Sequence, residues 1–232
     1  MRRVAQGLVI AIDGPVGAGK SSAARALARR LGYRYIDTGA MYRAVAWGAL
    51  HEEIPLADGR RLAALARRLP IRFVPRGRAM RVFIGRRDVT RAIRSPAAAE
   101  ASSRVSTHRG VRRVLVAKQR ALGARGGVVM EGRDIGSVVF PRADLKIYLD
   151  ASAEERARRR WVELVREGTG AALPAVRRDL LRRDRRDRRR HTAPLRVAPG
   201  AIRFNTTGLS LRAVVDRLAR AARACGAGRG GR

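Results

Sequence analysis

The chain has one cysteine, few aromatic residues and no long apolar run. The single cysteine, Cys225, excludes an intrachain disulfide and is typical of a reducing compartment, so we expect a cytoplasmic protein. The apolar run after Met1-Arg2-Arg3 is only about five residues long and ends at Asp13, which is too short for a signal peptide. No run approaches the roughly 20 apolar residues of a membrane helix, so we expect no membrane partner.

Acidic residues are also scarce, with 19 against 52 basic residues and a formal net charge of +33. Such a charge suggests nucleic-acid binding. However, no basic region alternates with aromatic residues, which make up 4% of the chain, as a base-stacking surface requires. Only Lys20, Lys118 and Lys146 among the basic residues are lysines, which indicates a coding bias toward arginine. We expect no specific nucleic-acid partner, only weak nonspecific attraction to polyanions.

Residues 14–21 read GPVGAGKS, a complete G-x-x-x-x-G-K-S phosphate-binding loop. An apolar run precedes it and a helix-forming run follows it, which is the order that this motif requires. Glycines allow successive N–H groups to turn toward a polyphosphate, and the helix N-terminus adds partial positive charge. Lys20 is expected to reach the β- and γ-phosphates and Ser21 to hold Mg²⁺. The residues expected to bind the nucleotide are Gly14, Pro15, Val16, Gly17, Ala18, Gly19, Lys20, Ser21 and Ser22.

Strand-like and helix-like segments alternate along most of the chain. This pattern predicts an α/β fold, a five-stranded parallel sheet of the P-loop NTPase type flanked by helices. The predicted strands are Leu8–Ile12, Tyr33–Ile36, Val128–Met130, Leu145–Leu149 and Ala201–Phe204. The predicted helices between them are Lys20–Leu31, Ala40–Leu50, Pro96–Leu122, Ala153–Arg166, Pro174–Arg189 and Ser210–Ala224.

One segment interrupts this alternation. Three short strand-like segments, Ile71–Val74, Arg81–Ile84 and Arg87–Thr90, predict a small antiparallel three-stranded insertion, preceded by a helix at Arg60–Leu69. We expect one domain over residues 1–225, with a core at 1–59 and 94–225 and the insertion at about 60–93. A Gly/Ala loop between two basic helices predicts a lid at about 154–175, and residues 226–232 predict a disordered tail.

Three predicted strands each end in a polar motif. Ligands of open parallel sheets bind at the carboxyl ends of strands, so we expect residues 14–22, 37–43 and 131–134 to share one crevice. Arg43 and Arg133 are suited to clamp a second phosphate, and Tyr42 to lie against a base or sugar. The plainer alternatives are a solvated helix arginine at 43, and a helix cap or ion pair at Asp134.

Two common classes of phosphate-loop protein do not fit the sequence. A GTPase requires N-K-x-D, but the only asparagine, Asn205, is followed by Thr206. A motor ATPase usually places two adjacent acids after an apolar strand, whereas Val128–Met130 is followed by E-G-R-D. The latter pattern favours a site where arginine and carboxylate meet a small substrate.

Four segments together resemble the bacterial cytidylate kinase family. They are residues 12–22 (IDGPVGAGKSS), 37–43 (DTGAMYR), 131–141 (EGRDIGSVVFP) and 182–195, where an R-R-D-R-R-D-R run is followed by A-P-L. The resemblance covers about residues 8–222 in order, and the three-stranded insertion is similar to the one that distinguishes this family from shorter nucleoside monophosphate kinases.

The resemblance implies transfer of the ATP γ-phosphoryl group, with Mg²⁺ at Ser21, to the 5′-phosphate of CMP or dCMP. It implies that Lys20, Arg133 and Arg183 are catalytic and that the insertion binds the monophosphate. The implied substrate-binding residues are Thr38, Tyr42, Arg43, Ser103, Arg112, Arg133, Asp134, Arg183, Asp187 and Arg190. Lid arginines that would neutralise the donor phosphates are Arg156, Arg159 and Arg160, each with a solvated helix face as the alternative.

Cytosine has one amino donor and two acceptors, N3 and O2. The resemblance assigns these groups to Ser103, Arg112 and Asp134, with an ordinary helix serine as the alternative at 103. The chain departs from the family pattern at Ser137, where threonine is common, at Asn205, where aspartate is frequent, and at Arg109-Gly110, which precedes Arg112.

Two other functions stay open at this point. One is a kinase for UMP or another small alcohol or phosphate, although uracil O4 cannot donate to an acceptor pair at Ser103 and Asp134. The other is a regulatory or nucleic-acid-binding P-loop protein, which would bind ATP with little turnover of any mononucleotide and bind nucleic acid in a strongly salt-dependent way. We expect a monomer, because the sequence contains no evident oligomeric surface.

Overall fold

The computed structural model describes residues 7–77, 79–166, 168 and 170–227. The strands in these ranges are β1 Val9–Asp13, β2 Arg34–Asp37, β3 Ile71–Arg76, β4 Ala79–Ile84, β5 Arg87–Asp88, β6 Val128–Gly132, β7 Leu145–Asp150 and β8 Ile202–Asn205. The α-helices are α1 Lys20–Leu31, α2 Thr38–His51, α3 Gly59–Arg68, α4 Pro96–Val105, α5 Arg109–Gly123, α6 Ala153–Arg166, α7 Leu173–Arg189 and α8 Leu211–Ala227. A 3₁₀ turn at Ala92–Arg94 and a π turn at Ile135–Val139 complete the described elements.

The predicted parallel sheet is confirmed, with the strand order β2-β6-β1-β7-β8. Its strand ends lie within two residues of the predicted ones. Strand β1 is central, and Ile10 pairs with Val129 on one side and with Leu145 on the other. A strand covered on both faces has a continuous apolar sequence, which is why V-I-A-I could be recognised as this strand.

Two compact units divide the chain, and the boundary falls within β2. The first unit runs to Tyr35 and resumes at Gly123, and the second is Ile36–Leu122. In the first unit the sheet side chains Ile12, Met130 and Leu149 are fully buried. Helices α1 and α8 pack together beside the sheet and bury Leu27 and Leu218. This core holds the end of β1, where the phosphate-binding motif begins.

The second unit contains the predicted three-stranded antiparallel sheet, in the order β3-β4-β5. Strands β3 and β4 pair from Ile71 with Ile84 to Arg76 with Ala79. Strand β5 is shorter than predicted because the hydroxyl of Thr90, rather than a further backbone carbonyl, accepts the N–H of Val82. The sheet packs on apolar side chains of α2, and a larger core forms among α2, α3, α4 and α5.

The single long helix predicted at Pro96–Leu122 is wrong, because the chain forms α4 and α5 with a turn between them. The hydroxyls of Ser106 and Thr107 donate to the carbonyls of Ser103 and Arg104, at 3.0 and 2.7 Å. A continuous helix would require those carbonyls for backbone N–H groups one turn later. Ser103 and Arg112 therefore lie on different helices, and their nine-residue spacing places them on no common helix face.

The last helix extends further than expected. Helix α8 includes Gly226 and Ala227, which belong to the predicted disordered tail, and the rest of that predicted tail, residues 228–232, lies outside the described residues. Over the described part of the chain, no helix has both the length and the apolar character needed to cross a membrane.

Candidate functional site

The phosphate-binding loop connects β1 to α1, and three of its glycines have positive φ. Gly14 has φ +149° and Gly17 has φ +76°. A Cβ at Gly14 would lie 2.0 Å from the carbonyl oxygen of Leu149, and one at Gly17 would lie 2.6 Å from that of Arg156. Gly19 adopts the left-handed conformation at the N-cap of α1 and provides no side-chain cap. The first N–H groups of α1 thus have neither intrahelical nor side-chain partners, as an anion-binding helix end requires.

Lys20 is buried in this loop, and its Nζ donates a 2.7 Å hydrogen bond to the carbonyl of Pro15. Burial, followed by the positive charge of Arg133, lowers the pKa of Lys20 to about 7, although Glu131, Asp13 and Asp187 act in the opposite direction. The lysine therefore lies within the electrostatic reach of Arg133. An anionic ligand next to this ammonium group would favour its charged form.

The hydroxyl-bearing residues Ser21 and Ser22 are exposed on the first turn of α1. Across the described ranges, no group of three or more histidine, cysteine, aspartate or glutamate side chains could hold a metal ion. A phosphate-bound Mg²⁺ needs no such protein cage, because this ion keeps waters and phosphate oxygens as most of its ligands.

Asp13 is a functional candidate that the sequence analysis did not identify. Its carboxylate accepts the N–H groups of Ile135 and Gly136, each at 2.8 Å. Burial raises its pKa to about 6, against these two hydrogen bonds. Asp13 thus joins the end of β1 to the π turn that directly follows Asp134. Its position after an apolar strand and before the loop is the sequence feature that could have revealed it.

Five of the predicted substrate residues form one group in the first unit. The guanidinium of Arg133 donates from Nε to Asp187 at 3.0 Å, and Arg190 lies 3.8 Å from Asp134 and 3.9 Å from Asp187. Burial and the charge of Arg133 lower the pKa of Arg183, while Asp179 and Asp187 act in the opposite direction. Arginines outnumber carboxylates among Arg133, Asp134, Arg183, Asp187 and Arg190, so the group favours a bound anion.

Helix α7 supplies Arg183 and Asp187, which lie four residues apart. It ends at Arg189, so Arg190 is its C-cap and lies outside the regular helix. The Nε of Arg190 donates to the carbonyl of Ala193 at 2.6 Å. The side chain of Arg190 is therefore directed by the chain that leaves the helix as well as by the helix itself.

The other predicted substrate residues lie in the second unit. Asp37 caps α2 by accepting the N–H of Ala40 at 2.9 Å, and it also accepts Nη2 of Arg43 at 2.7 Å. Burial alone would raise the pKa of Asp37, but the charge of Arg43 and these hydrogen bonds lower it below its usual value. The Nε of Arg43 is buried without a hydrogen-bond partner among the described residues, as expected of a guanidinium that binds a ligand.

Thr38, Tyr42, Ser103 and Arg112 also belong to the second unit. The guanidinium of Arg112 lies over the ring of Tyr42, 5.5 Å from its centroid, and donates to the carbonyl of Ser106 at 3.2 Å. Thr38, Ser103 and Arg112 are all buried. Tyr42 and Arg112 therefore form one group, whereas Ser103 is placed by α4.

The lid arginines have protein partners. Arg156 is buried against Asp184, Arg159 donates to Glu155 and Thr206, and Arg160 pairs with Glu163. Sequence reasoning missed Asp184 and Thr206. Asp184 follows Val176 and Leu180 at intervals of four residues on the buried face of α7, and an acid on such a face requires a partner.

Comparison with known proteins places the chain in a family. A sequence model described as cytidylate kinase matches residues 10–224. The chain belongs to the cytidylate kinase family. A cytidylate kinase of Desulfitobacterium hafniense is 51% identical over 211 residues, covering 91% of this chain and 90% of that protein. The cytidylate kinase of Bacillus subtilis is 44% identical, covering 91% and 94% of the two chains.

A third relative in this family carries a further activity. The bifunctional pantoate ligase/cytidylate kinase of Gloeobacter violaceus is 51% identical over 214 residues, which cover 90% of this chain and 42% of that protein. All four segments that resembled the cytidylate kinase family lie within the residues that the family model matches.

Proposed function

We propose that this chain is a cytidylate kinase that transfers the γ-phosphoryl group of ATP to the 5′-phosphate of CMP or dCMP. One observation carries the proposal: Asp13, which precedes the phosphate loop, pairs with Gly132, which precedes Arg133, so the loop and this arginine follow adjacent strand ends. The lysine of a triphosphate-binding loop and the arginines of a second anion site are thus neighbours in one unit. Two phosphates held side by side are what phosphoryl transfer requires.

The donor side consists of the loop and Lys20. The N–H groups at the start of α1 and the Lys20 ammonium bind the β- and γ-phosphates of ATP. The donor phosphates replace the Pro15 carbonyl as the partner of Lys20 and supply the negative charge that the buried ammonium lacks. Expulsion of water from this loop strengthens each of these contacts.

The acceptor side consists of arginines. Arg133 and Arg183 hold the 5′-phosphate of CMP, and the resemblance to the family motif makes Arg43 a further phosphate ligand. The acceptor oxygen is already ionised, so no general base is needed. The guanidinium groups stabilise the charge that spreads over the transferred phosphoryl group in the transition state.

Polar side chains recognise the nucleoside. Asp134 and Ser103 accept the amino group of cytosine, and Arg112 donates to its N3 and O2. Thr38 and Tyr42 contact the same nucleotide, and Asp187 and Arg190 bind its ribose. These roles follow from the resemblance of the residues to the family motifs, and the burial of Ser103, Arg112 and Asp134 supports them.

The residues present fit Mg²⁺. Ser21 is exposed on the first turn of α1, where phosphates bind, and it is the residue that would hold the ion together with phosphate oxygens. When bound, the ion neutralises charge that develops on the β- and γ-phosphates. We further propose that the protein is a monomer, because the sequence contains no evident oligomeric surface. We propose that it lies in the cytoplasm, because the lone Cys225 is typical of a reducing compartment.

The proposed function is tested by measuring ADP production from Mg-ATP with CMP, dCMP, UMP, AMP, GMP or no acceptor, at 0.15 M salt. We expect rapid turnover with CMP and dCMP, with UMP far behind. Equal rates with and without an acceptor would make the chain an ATPase. An absence of turnover with every acceptor would contradict the proposal and favour a binding protein.

A further inference from the structure

Three buried polar side chains contact the phosphate-binding loop from outside the motif. Arg156 and Asp184 are each 5% exposed and Thr206 is 2% exposed, and they come from α6, α7 and the segment after β8. Asp184 also acts on the acceptor group, because its charge helps to raise the pKa of Arg133. The hydrogen bonds and close contacts that the three residues make with the loop lie on residues 16 to 18.

Arg156 and Asp184 contact both main-chain polar atoms of Val16. The Nη1 of Arg156 lies 2.5 Å from Oδ2 of Asp184 and donates to the carbonyl of Val16 at 3.0 Å. The other carboxylate oxygen of Asp184 accepts the N–H of Val16 at 3.4 Å. The Nε of Arg156 donates to the carbonyl of Ala151, and this further hydrogen bond helps to fix the orientation of the guanidinium.

Gly17 and Ala18 of the loop also lie against Arg156 and Thr206. A Cβ at Gly17 would lie 2.6 Å from the carbonyl oxygen of Arg156, so the loop backbone lies directly against the first turn of α6. Arg159 donates to both the hydroxyl and the carbonyl of Thr206, at 2.9 and 2.8 Å. The Thr206 hydroxyl in turn lies 3.4 Å from the carbonyl of Ala18.

Stability alone is a weak reason for a buried ion pair at this place. Removing two charges from water costs about as much as their attraction returns, and apolar residues of similar volume often stabilise a fold as well or better. The pair contacts a loop whose N–H groups must point in defined directions to bind a polyphosphate. Fixing those directions before binding avoids the entropic cost of ordering the loop.

We propose that Arg156 and Asp184 are positioning residues that hold Val16, and through it the N–H groups of residues 17–19, in the orientation that binds ATP. This inference rests on the proposed function only in requiring the loop to bind ATP. It also replaces the expectation that Arg156 neutralises the donor phosphates, since its Nε and Nη1 already serve Ala151, Val16 and Asp184.

The test uses the variants Asp184→Asn and Arg156→Met, together with the double variant Arg156→Met/Asp184→Leu, which leaves no unpaired buried charge. The matched control is Asp216→Asn, because Asp216 pairs with Arg30 between α8 and α1, is 35% exposed and has no contact with the loop. Calorimetry measures the Kd of a non-hydrolysable ATP analogue and the Kd of CMP for each protein, and a thermal melt shows whether each protein is folded.

We expect each single variant to weaken binding of the ATP analogue about tenfold, with the Kd of CMP changed by less than about twofold. Because the two residues act as one unit, the double variant should lose no more affinity than either single variant. The control should bind both ligands like the wild type. Kinetically, the KM for ATP should rise while the KM for CMP stays within about twofold.

Folded variants that bind the analogue as tightly as the wild type would overturn the inference. So would a lower Tm with an unchanged KM for ATP, which indicates a purely structural pair, and so would equal weakening of both ligands. A failure of the proposed function is recognised separately, because wild-type protein would then bind the ATP analogue without phosphorylating CMP, or would not bind the analogue at all.

Discussion

Lys20 combines burial, a like-charged neighbour and a hydrogen bond to Pro15. The first two lower its pKa to about 7, which means that its charged form is destabilised in the free protein. Phosphate oxygens would reverse this effect by supplying opposite charge. A residue that is electrostatically unfavourable without ligand is expected where binding and catalysis, rather than stability, determine the residue type.

We therefore predict that Lys20→Met separates activity from stability. Turnover of ATP and CMP should fall by at least about a hundredfold, because a preorganised charge at the transferred phosphoryl group is lost. The Tm at pH 7 should be equal to or higher than that of the wild type. A steady-state assay and a thermal melt check the two parts. A lower Tm would show that the Lys20 ammonium stabilises the free protein, contrary to its depressed pKa.

The same residue predicts a pH dependence of stability. Its pKa is about 10.5 when unfolded and about 7 when folded, so the unfolded chain binds more protons between these values. The free energy of unfolding of the wild type should therefore rise as pH increases from 7 to 10. Lys20→Met has no titrating group at this position, so its free energy of unfolding lacks this rise. The Tm advantage of the variant should shrink across that window. An advantage that grows with pH would contradict the direction of the shift.

Arg183 is predicted to act on the acceptor. Arg183→Ala should lower kcat/KM for CMP by about a hundredfold or more, because a half-buried guanidinium that we propose to hold the acceptor phosphate is removed. The Kd of an ATP analogue should change little. Arg178→Ala is the matched control, since Arg178 is an exposed arginine on the same helix. Equal losses in the two variants would mean that general positive charge, rather than position 183, supports the reaction.

At the scale of elements, the hydrophobic pattern predicted the strands that form the buried parallel sheet. The continuous apolar run of β1 and the glycine-rich turn into α1 admit few alternatives, and helix α1 was predicted to the residue. The break between α4 and α5 was missed because it depends on two hydroxyls that compete for carbonyls, which a hydrophobic pattern does not report.

The sequence indicated some residues of the candidate site and not others. Residues such as Arg133 and Asp187 could be predicted because they lie in segments that resemble the family motifs, and their roles stay predictions. Asp13 and Asp184 were missed because their partners are backbone groups or arginines more than a hundred or nearly thirty residues away. The burial of Arg156 could not be predicted, because it is one of several arginines in its helix and only the tertiary structure places it against the loop.

The close approach of the loop to α6 makes a prediction for Gly17. Gly17→Ala should weaken binding of an ATP analogue at least about tenfold, because its Cβ would meet the rigid backbone carbonyl of Arg156. Gly200→Ala is the control for backbone strain, since Gly200 has a similar φ of +72° and open space around it. Calorimetry on both variants decides the matter. An alanine at 17 with wild-type affinity would show that the loop does not need this contact.

At the scale of the whole molecule, the two units divide the predicted substrate residues between them. The first unit holds the phosphate loop and the arginine group around Asp187, and the second holds Arg43, Tyr42, Ser103 and Arg112. The net charge of +33 adds a long-range attraction for any polyanion, which added salt screens. Chemistry at defined residues, rather than this overall charge, therefore distinguishes the proposed enzyme from a nonspecific binder.

The most direct test of the central claim follows the phosphoryl group itself. Phosphorus NMR of Mg-ATP with CMP and the wild-type protein should show the β-phosphate signal of CDP growing in step with ADP, and the reverse reaction should regenerate ATP from added CDP and ADP. Lys20→Met should show neither change at a matched time. Release of inorganic phosphate in place of CDP would mean that water is the acceptor, and would contradict the account.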